Sequence, residues 1–246
     1  MVESLRVEGR DAAGFKPVSC GDRDDGRILA EVSGNLPLDE VNPLHFASSV
    51  APYVAALLEN KAIDPAALLE SYRKFSEGKE IVLVEGAGGW EVPITENYFI
   101  SDLAKDLGLP VILVAANRLG ALNHILLTLA AIKAKGLTCA GIILNQLEDE
   151  MDTPMITNKG ILASLTDIPV LDHIIHNQDF LSPELMDVLM GAEVHPNAQT
   201  PAVTVRPHDF GVSRNGLDFG RLNQLVDELE VEDYLRKAMR DDSAGH

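Results

Sequence analysis

A carboxylate followed by several glycines stands directly after an apolar run, in the segment Ile81-Val82-Leu83-Val84-Glu85-Gly86-Ala87-Gly88-Gly89-Trp90. Ligands of parallel sheets bind beyond the carboxyl ends of the strands, so Glu85 would stand where a ligand collects. A carboxylate there can hold Mg²⁺ beside a phosphate, because Mg²⁺ takes one or two carboxylates together with phosphate oxygens. Gly86, Gly88 and Gly89 would let backbone amides approach the same ligand. The pattern also fits a tight turn from strand to helix with a solvated glutamate.

A lysine within a second strand pattern precedes a loop of small residues and a cluster of acids, in the segment Lys16-Pro17-Val18-Ser19-Cys20-Gly21-Asp22-Arg23-Asp24-Asp25. The Lys16 ammonium could stabilise negative charge on a transferred phosphoryl group. Asp24 or Asp25 could supply a second carboxylate to a metal ion. The alternative is a helix N-terminus that carries acids only because the helix dipole favours them there.

Two further segments follow predicted strands. The run Leu119-Gly120-Ala121-Leu122-Asn123-His124 opens a helix, whose free backbone amides form a potential anion site, although an ordinary loop would look the same. Asn145 ends the apolar run that begins at Gly141. Its side chain could pair with a purine edge through one donor and one acceptor, or it could simply form a turn.

The elements that would position these residues alternate between strand and helix. Short apolar runs rich in Val and Ile predict strands covered on both faces at Ala13–Val18, Ile81–Val84, Val111–Ala116 and Ala140–Leu144. Helix signals mark 65–75, 101–107 and 121–135, and weaker ones predict a strand at Ala202–Val205 and a helix at Leu222–Met239. The order predicts an α/β fold with a mostly parallel sheet and helices on both faces.

Composition limits the classes of partner. The chain has 246 residues, 46% of them hydrophobic, and 20 Lys and Arg against 38 Asp and Glu, so its net charge is 20 − 38 = −18. We therefore expect no nucleic-acid partner, and no membrane partner either, because anionic surfaces require basic faces. The cysteines, Cys20 and Cys139, lie far apart and match no metal-ligand spacing, which favours a reduced, cytoplasmic protein. We predict one α/β domain over residues 1–246.

Together and in this order, the segments resemble the ATP-dependent dethiobiotin synthetases, a branch of the P-loop NTPase-like α/β enzymes. The matching stretches are Gly14-Phe15-Lys16-Pro17-Val18, Asp22-Arg23-Asp24-Asp25, Asn42-Pro43 with Phe46, Ala51-Pro52, Val84-Glu85-Gly86-Ala87-Gly88-Gly89-Trp90, Pro93, Leu109-Pro110-Val111-Ile112-Leu113-Val114, Leu119-Gly120 with Asn123-His124, and Gly141 with Asn145. The resemblance covers about residues 1–175, and residues 176–246 diverge.

The resemblance implies an enzyme that closes a cyclic urea. Its substrates would be 7,8-diaminopelargonate, CO₂ and ATP, with Mg²⁺ as cofactor. One amine takes up CO₂ as a carbamate, the carbamate attacks the γ-phosphate of ATP, and the second amine closes the ring. The resemblance also implies a homodimer with sites at the interface.

The resemblance implies roles for the residues that match the family's motifs. Lys16 resembles the lysine that stabilises carbamate and phosphoryl oxygens. Asp25 and Glu85 resemble the Mg²⁺ carboxylates at the nucleotide, and Asn145 resembles the residue that reads adenine. Cys20 falls where the family often has a small hydroxyl residue near the substrate. The glycines Gly86, Gly88 and Gly89 resemble residues that bind the nucleotide. The helix start at Gly120, Ala121, Leu122 and Asn123 resembles the site that binds the distant carboxylate of the substrate held in the other subunit.

The sequence departs from the family pattern in two places. Members begin with a strand, a phosphate loop ending Gly-Lys-Thr and a helix, but no Gly-x₄-Gly-Lys-Ser/Thr occurs among the 246 residues. Met1–Gly9 is instead typical of the last turns of a helix, so we expect the first strand, the loop and most of the first helix to be missing through an N-terminal shortening. The second departure is Asp172, where the family usually has glycine.

Two other functions stay open beside dethiobiotin synthesis. One is a non-catalytic relative that binds or regulates but has lost ATP hydrolysis. The other is a related amide-forming synthetase of the cobyrinic-acid type. Retention of Lys16, Asp25 and Glu85 favours the synthetase over the non-catalytic relative, and the helix start at Gly120–Asn123 favours it over the corrinoid enzyme.

Overall fold

The computed structural model of the chain describes residues 1–146, 152–175, 178 and 180–191. All of them belong to one compact unit, Met1–Ala198. The strand predicted at Ala202–Val205 and the helix predicted at Leu222–Met239 lie outside the described residues, and the single domain over 1–246 stays a prediction. In the part of the chain that the structure describes, no helix is long and apolar enough to cross a membrane.

Helices and strands alternate along most of this unit. The helices are α1 (Val2–Val7), α2 (Asp24–Val32), α3 (Leu38–Val41), α4 (Pro52–Leu58), α5 (Pro65–Ser76), α6 (Ile100–Leu107), α7 (Ala121–Ala134), α8 (Thr153–Leu165) and α9 (Pro183–Leu189). The strands are β1 (Ala12–Phe15), β2 (Val18–Cys20), β3 (Leu44–Phe46), β4 (Ile81–Val84), β5 (Pro93–Thr95), β6 (Tyr98–Phe99), β7 (Val111–Ala116), β8 (Cys139–Asn145) and β9 (Val170–Ile174).

The strand pairing is mostly parallel, as the sequence predicts. β1 pairs with β4, β2 with β3, and β7, β8 and β9 form a three-stranded sheet, all in parallel. Only the short β5–β6 pair of the described strands is antiparallel. The single strand predicted over Ala13–Val18 is wrong: the structure has two strands there, separated at Lys16 and Pro17. Proline has no backbone N–H to donate to a ladder, which accounts for the break.

Helices cover both faces of the β7–β8–β9 sheet. The side chain of Ile143 in β8 packs with Leu185 of α9 on one face. Its neighbours Ile142 and Leu144 pack with Leu162 of α8 and with α7 on the other face. This alternation along one strand is the signature of a sheet buried on both sides and confirms the predicted layering.

The local helix signals act as predicted. Asp64 accepts a hydrogen bond from the Ala66 backbone N–H at 2.9 Å and so caps α5, with Pro65 at the first helical position. The helical interpretation of Met1–Gly9 is confirmed by α1. α8 was not predicted, although the signal was present: Asp152 caps it through the Met155 N–H at 2.8 Å, with Pro154 in its first turn.

β4 and β7 are less covered than predicted. Within the described residues β4 pairs only with β1 and β7 only with β8, so each presents one unpaired edge. Ile81 and Ile112 pack against one shared core cluster, but Val114 in the middle of β7 is 49% exposed. The prediction that these strands are buried on both faces is therefore wrong at Val114, whereas every residue of β4 is at least partly buried.

Asp172 anchors the chain that follows β9. Its side chain is buried, and its two carboxylate oxygens accept hydrogen bonds from the backbone N–H groups of His173 at 2.8 Å and Ser182 at 2.7 Å. The Ser182 hydroxyl donates to the Leu171 carbonyl at 2.7 Å and caps α9. A glycine at position 172 could not make these side-chain contacts.

Replacing Asp172 by alanine is expected to lower the free energy of unfolding by about 1–3 kcal/mol, because the Ser182 N–H is left without its buried acceptor. Urea unfolding measures the change. Asp187→Ala is the matched control, since Asp187 is an exposed residue of α9. Equal stability of the two variants would contradict the anchoring role.

Candidate active site

Lys16 and Glu85 stand at the carboxyl ends of neighbouring strands. Lys16 follows β1 and Glu85 follows β4, and the two strands are in parallel register with Phe15 opposite Val84. The Glu85 backbone N–H donates to the Phe15 carbonyl at 2.9 Å, which carries the pairing up to the glutamate itself. Parallel pairing therefore places both side chains at one edge, where ligands of such sheets collect.

Three charged groups from separate elements meet at this edge. The Lys16 Nζ lies 2.8 Å from Asp25 Oδ2 and 2.6 Å from Glu85 Oε1. Asp25 comes from the first turn of α2. The lysine side chain is only 6% exposed, whereas the Asp25 and Glu85 side chains are 60% and 51% exposed. The ammonium is therefore buried beneath two carboxylates that face solvent and are open to a ligand.

The carboxylates determine the charge state of the lysine. Burial by itself lowers the pKa of Lys16, but hydrogen bonds and negative charge from Asp25 and Glu85 outweigh it and raise the pKa of Lys16 above its ordinary value of 10.5. The group is therefore a fixed positive charge at neutral pH, as stabilisation of an anionic ligand requires.

This raised pKa predicts a stability change at alkaline pH. A lysine whose pKa is higher in the folded than in the unfolded state stabilises the fold fully below the unfolded value, and the contribution is lost as the pH rises through the folded value. We expect the thermal stability difference between the wild type and Lys16→Met to be constant through neutral pH and to shrink only above pH 10.5. A difference that already shrinks near neutral pH would contradict the assigned ion pairs.

The donor set fits Mg²⁺ bound together with phosphate. No group of three or more His, Cys, Asp or Glu in the described residues could hold a metal ion by protein ligands alone. Asp25 and Glu85 supply two half-exposed carboxylates within reach of one ammonium. Mg²⁺ commonly takes one or two carboxylates and completes its shell with water and phosphate oxygens, so two are sufficient.

The three glycines after Glu85 differ in how their surroundings restrict a larger side chain. A Cβ at Gly86 would lie 3.0 Å from Ile100 Cγ2, so the Ile100 side chain would have to shift to admit it. Gly88 has a φ of +76°, a backbone conformation that favours glycine. Gly89 has neither restraint: a Cβ there would meet nothing within 4 Å. The space above Gly89 is therefore free for a ligand to approach the backbone.

The predicted anion site at the start of α7 and the predicted adenine-binding residue Asn145 follow other strands than Lys16 and Glu85 do. Gly120 is the N-cap of α7, no side chain caps its amides, Ala121 is buried in the core, Leu122 is partly buried and Asn123 is exposed. Asn145 ends β8, opposite Ala116 of β7. Among the described residues, neither group forms a hydrogen bond or an ion pair with Lys16, Asp25 or Glu85.

Cys20 ends β2, opposite Phe46 of β3, and its thiol is half-buried. Burial, followed by the nearby charge of Glu59, raises the pKa of the Cys20 thiol. Cys20 is therefore a neutral thiol at physiological pH. Within the described part of the chain it forms no hydrogen bond with Lys16.

The sequence did not lead us to predict a cluster of buried side-chain amides next to the start of α7. The Asn117 Nδ2 donates to the Met155 carbonyl at 3.0 Å and lies 3.1 Å from His173 Nε2. Its Oδ1 accepts from Asn158 Nδ2 at 2.8 Å, and its backbone N–H donates to the Asn145 carbonyl at 2.8 Å. The cluster joins α8, β8 and β9. An asparagine directly after an apolar strand was the available signal, the same one that drew attention to Asn145.

Comparison with known proteins identifies the class. A family model described as an AAA domain matches residues 1–184, so the chain is an α/β protein of that class. It belongs to the ATP-dependent dethiobiotin synthetase family, and both the predicted family and the predicted α/β fold with mostly parallel strands are confirmed.

Curated relatives carry the family assignment. The ATP-dependent dethiobiotin synthetase BioD of Akkermansia muciniphila is 50% identical over 77% of this chain and 88% of its own length. BioD of Aromatoleum aromaticum is 38% identical over 72% and 82%, and that of Bacillus subtilis subsp. natto is 32% identical over 78% and 82%. Among solved structures, the septum site-determining protein MinD with Mg-ADP from Pyrococcus horikoshii is 16% identical over 69% of this chain and 70% of that one, with a TM-score of 0.39.

Proposed function

We propose that this protein is a dethiobiotin synthase, which uses ATP and CO₂ to close the cyclic urea of dethiobiotin on 7,8-diaminopelargonate. The observation that carries the proposal is the buried Lys16 ammonium at the carboxyl ends of the paired strands β1 and β4. It lies between Asp25, from the first turn of α2, and Glu85, which follows β4. Membership of the family supports the substrate assignment, since its named relatives are dethiobiotin synthetases.

The proposed reaction has three steps. One amine attacks CO₂ and releases a proton, which gives a carbamate. A carbamate oxygen attacks the γ-phosphorus of ATP while the bond to the β,γ-bridging oxygen breaks, so ADP leaves and a carbamic–phosphoric anhydride forms. The second amine then attacks the carbonyl carbon, loses a proton and expels inorganic phosphate as the ring closes.

Lys16 supplies the fixed positive charge for these steps. Negative charge develops on the carbamate and on the transferred phosphoryl oxygens, and a preorganised ammonium in a buried position stabilises it without having to reorganise. Asp25 and Glu85 form ion pairs with the ammonium and would hold Mg²⁺, which neutralises phosphate charge when bound. Positioning and electrostatics then account for the catalysis.

The remaining carried-over residues complete the proposed site. Gly86, Gly88 and Gly89 would line the nucleotide phosphates, and Asn145 would read the adenine edge. Cys20 would lie near the diamine. The free amides at Gly120, Ala121, Leu122 and Asn123 would receive the distant carboxylate of the substrate bound in the other subunit, so the active form would be a homodimer. The proposed location is the cytoplasm, without nucleic-acid or membrane partners.

The test measures both products. The protein is supplied with 7,8-diaminopelargonate, bicarbonate, ATP and Mg²⁺, and ADP release and the mass of dethiobiotin are followed. Because no Gly-x₄-Gly-Lys-Ser/Thr lies among the 246 residues, the assay compares this chain with one extended by its upstream in-frame codons. Equal amounts of ADP and dethiobiotin from either chain support the proposal.

Other outcomes identify the alternatives. Failure of both chains to release ADP would contradict the synthase and favour a non-catalytic relative. ADP release only with a corrinoid carboxylate and an amide-nitrogen donor would favour the cobyrinic-acid-type synthetase. Turnover by the extended chain alone would support the N-terminal shortening expected from the sequence, and an upstream gene sequence without an in-frame phosphate loop would contradict it.

A further inference from the structure

Asn42, which directly follows α3, lies with its side chain wholly buried beneath the candidate site. Its Nδ2 donates to the backbone carbonyls of Lys16 at 2.8 Å and Leu44 at 3.3 Å. Its Oδ1 accepts from Ser19 Oγ at 2.7 Å and from Arg23 Nε at 2.9 Å. One side-chain amide therefore uses two donors and two acceptor positions, and it binds the segment that runs from Lys16 to Arg23 at three residues.

The identity of these partners fixes the orientation of the amide. Backbone carbonyls can only accept hydrogen bonds, and the Arg23 guanidinium can only donate. A flipped Asn42 amide would place its oxygen against the Lys16 and Leu44 carbonyls and its nitrogen against Arg23. The orientation with four satisfied hydrogen bonds is therefore the only compatible one, and the amide is a rigid connection.

The contacts of Asn42 lead to both sides of the Lys16–Asp25 ion pair. On the lysine side, the Asn42 amide holds the Lys16 carbonyl, and the Lys16 N–H donates to the Val41 carbonyl at 2.8 Å. The strand end that carries Lys16 is thus bound on both backbone groups by residues 41 and 42.

On the aspartate side, Arg23 is the N-cap residue of α2, two positions before Asp25. Besides its bond to the Asn42 amide, Arg23 Nη2 donates to the Asn42 backbone carbonyl and to Asp39 Oδ1 at 2.9 Å. α2 also approaches closely here, since a Cβ at Gly26 would lie 3.1 Å from Asn42 Cβ. The start of α2 is therefore held against the same residue that holds Lys16.

We propose that Asn42 is the positioning residue of this site, which sets the distance between the Lys16 ammonium and the Asp25 carboxylate by holding both backbones at once. The ion pair cannot hold itself in place, because Asp25 is 60% exposed and exposed pairs contribute little. A catalytic geometry has to come from the supporting contacts behind it. The catalytic consequence rests on the proposed function; the geometric one does not.

The test compares Asn42→Leu, which removes all four hydrogen bonds at similar volume, with Leu162→Ala as a control. Leu162 is buried between α8 and the sheet, so its truncation destabilises the fold without touching the Asn42 contacts. Asn42→Asp is a milder second variant: it keeps an acceptor for Ser19 and Arg23 but loses the donor to the Lys16 carbonyl. It decides the question by the same criteria if Asn42→Leu does not fold.

Two measurements separate positioning from stability. Crystal structures of the variants give the distance between Lys16 Nζ and Asp25 Oδ2, which is 2.8 Å in this structure. We expect Asn42→Leu to lose this contact, because neither the Lys16 carbonyl nor the Arg23 side chain is then held by the side chain of residue 42. In the turnover assay we expect kcat to fall by about 10–100-fold, as for other supporting contacts, with KM for the diamine nearly unchanged. Leu162→Ala is expected to change neither quantity.

The outcomes are distinct. An unchanged distance between Lys16 Nζ and Asp25 Oδ2 in a folded Asn42 variant, or a change equal to that in Leu162→Ala, would overturn the positioning role whatever the turnover. A lost contact in Asn42→Leu together with a wild type that does not act on the diamine would support positioning and contradict the proposed function. A lost contact with unchanged kcat would overturn the catalytic consequence.

Discussion

Replacing Lys16 by methionine is expected to lower kcat for dethiobiotin formation by about 10²–10³-fold, the usual loss when a preorganised group that stabilises developing negative charge is removed. The fold is expected to survive, because methionine keeps an unbranched apolar side chain in the buried space and the two carboxylates are already half-exposed. Turnover is measured in the polypeptide that is active in the assay above.

Lys135→Met is the matched control for this substitution. Lys135 also forms an ion pair, with Asp102 at 2.5 Å, and its pKa is raised by that hydrogen bond, but the pair lies outside the candidate site. We expect its kcat to stay near that of the wild type. Similar kcat values for the two lysine variants would show that the Lys16 charge has no catalytic role.

Glu85→Gln is expected to lower Mg²⁺-dependent turnover by about 100-fold or more, because the amide keeps the shape of the side chain but removes the negative charge that would hold the ion. The loss should be smaller at high Mg²⁺ concentration if Glu85 binds the metal. Circular dichroism and thermal unfolding are expected to show an intact fold, since Glu85 is half-exposed.

Glu80→Gln provides the comparison. Glu80 lies just before β4, accepts hydrogen bonds from Arg10 and from the Asp11 backbone N–H, and has a pKa lowered by the Arg10 interaction. It lies at the opposite end of the strand from Glu85, so its loss is not expected to affect the Mg²⁺ dependence. Near-normal turnover of Glu85→Gln would refute the assigned metal role.

The parts of the fold that sequence could predict are those with strong local signals. Ile81–Val84 and Val111–Ala116 are strands over the predicted residues, and α5 begins at Pro65 with Asp64 as its cap. Strand ends in a parallel sheet share one edge, so the meeting of Lys16 and Glu85 followed from the topology. Their roles and that of Asp25 stay predictions.

Other features depended on contacts between distant segments. Asn42 and Asn117 look like turn residues in sequence, and only the folded chain shows that each is buried with its amide bound to several elements. The exposure of Val114 could not be predicted from its apolar run, because such a run shows a preference for burial and not whether another element covers that face of the sheet. The anchoring role of Asp172 likewise depends on its hydrogen bond with Ser182, ten positions along the chain.

The most direct test of the account is a crystal structure of the active polypeptide with Mg²⁺, a non-hydrolysable ATP analogue and the diamine. The account predicts one Mg²⁺ bound by the Asp25 and Glu85 carboxylates, and a terminal phosphate that accepts a hydrogen bond from the Lys16 ammonium. A nucleotide and metal ion bound in another crevice, with Lys16 still paired only to its two carboxylates, would contradict it.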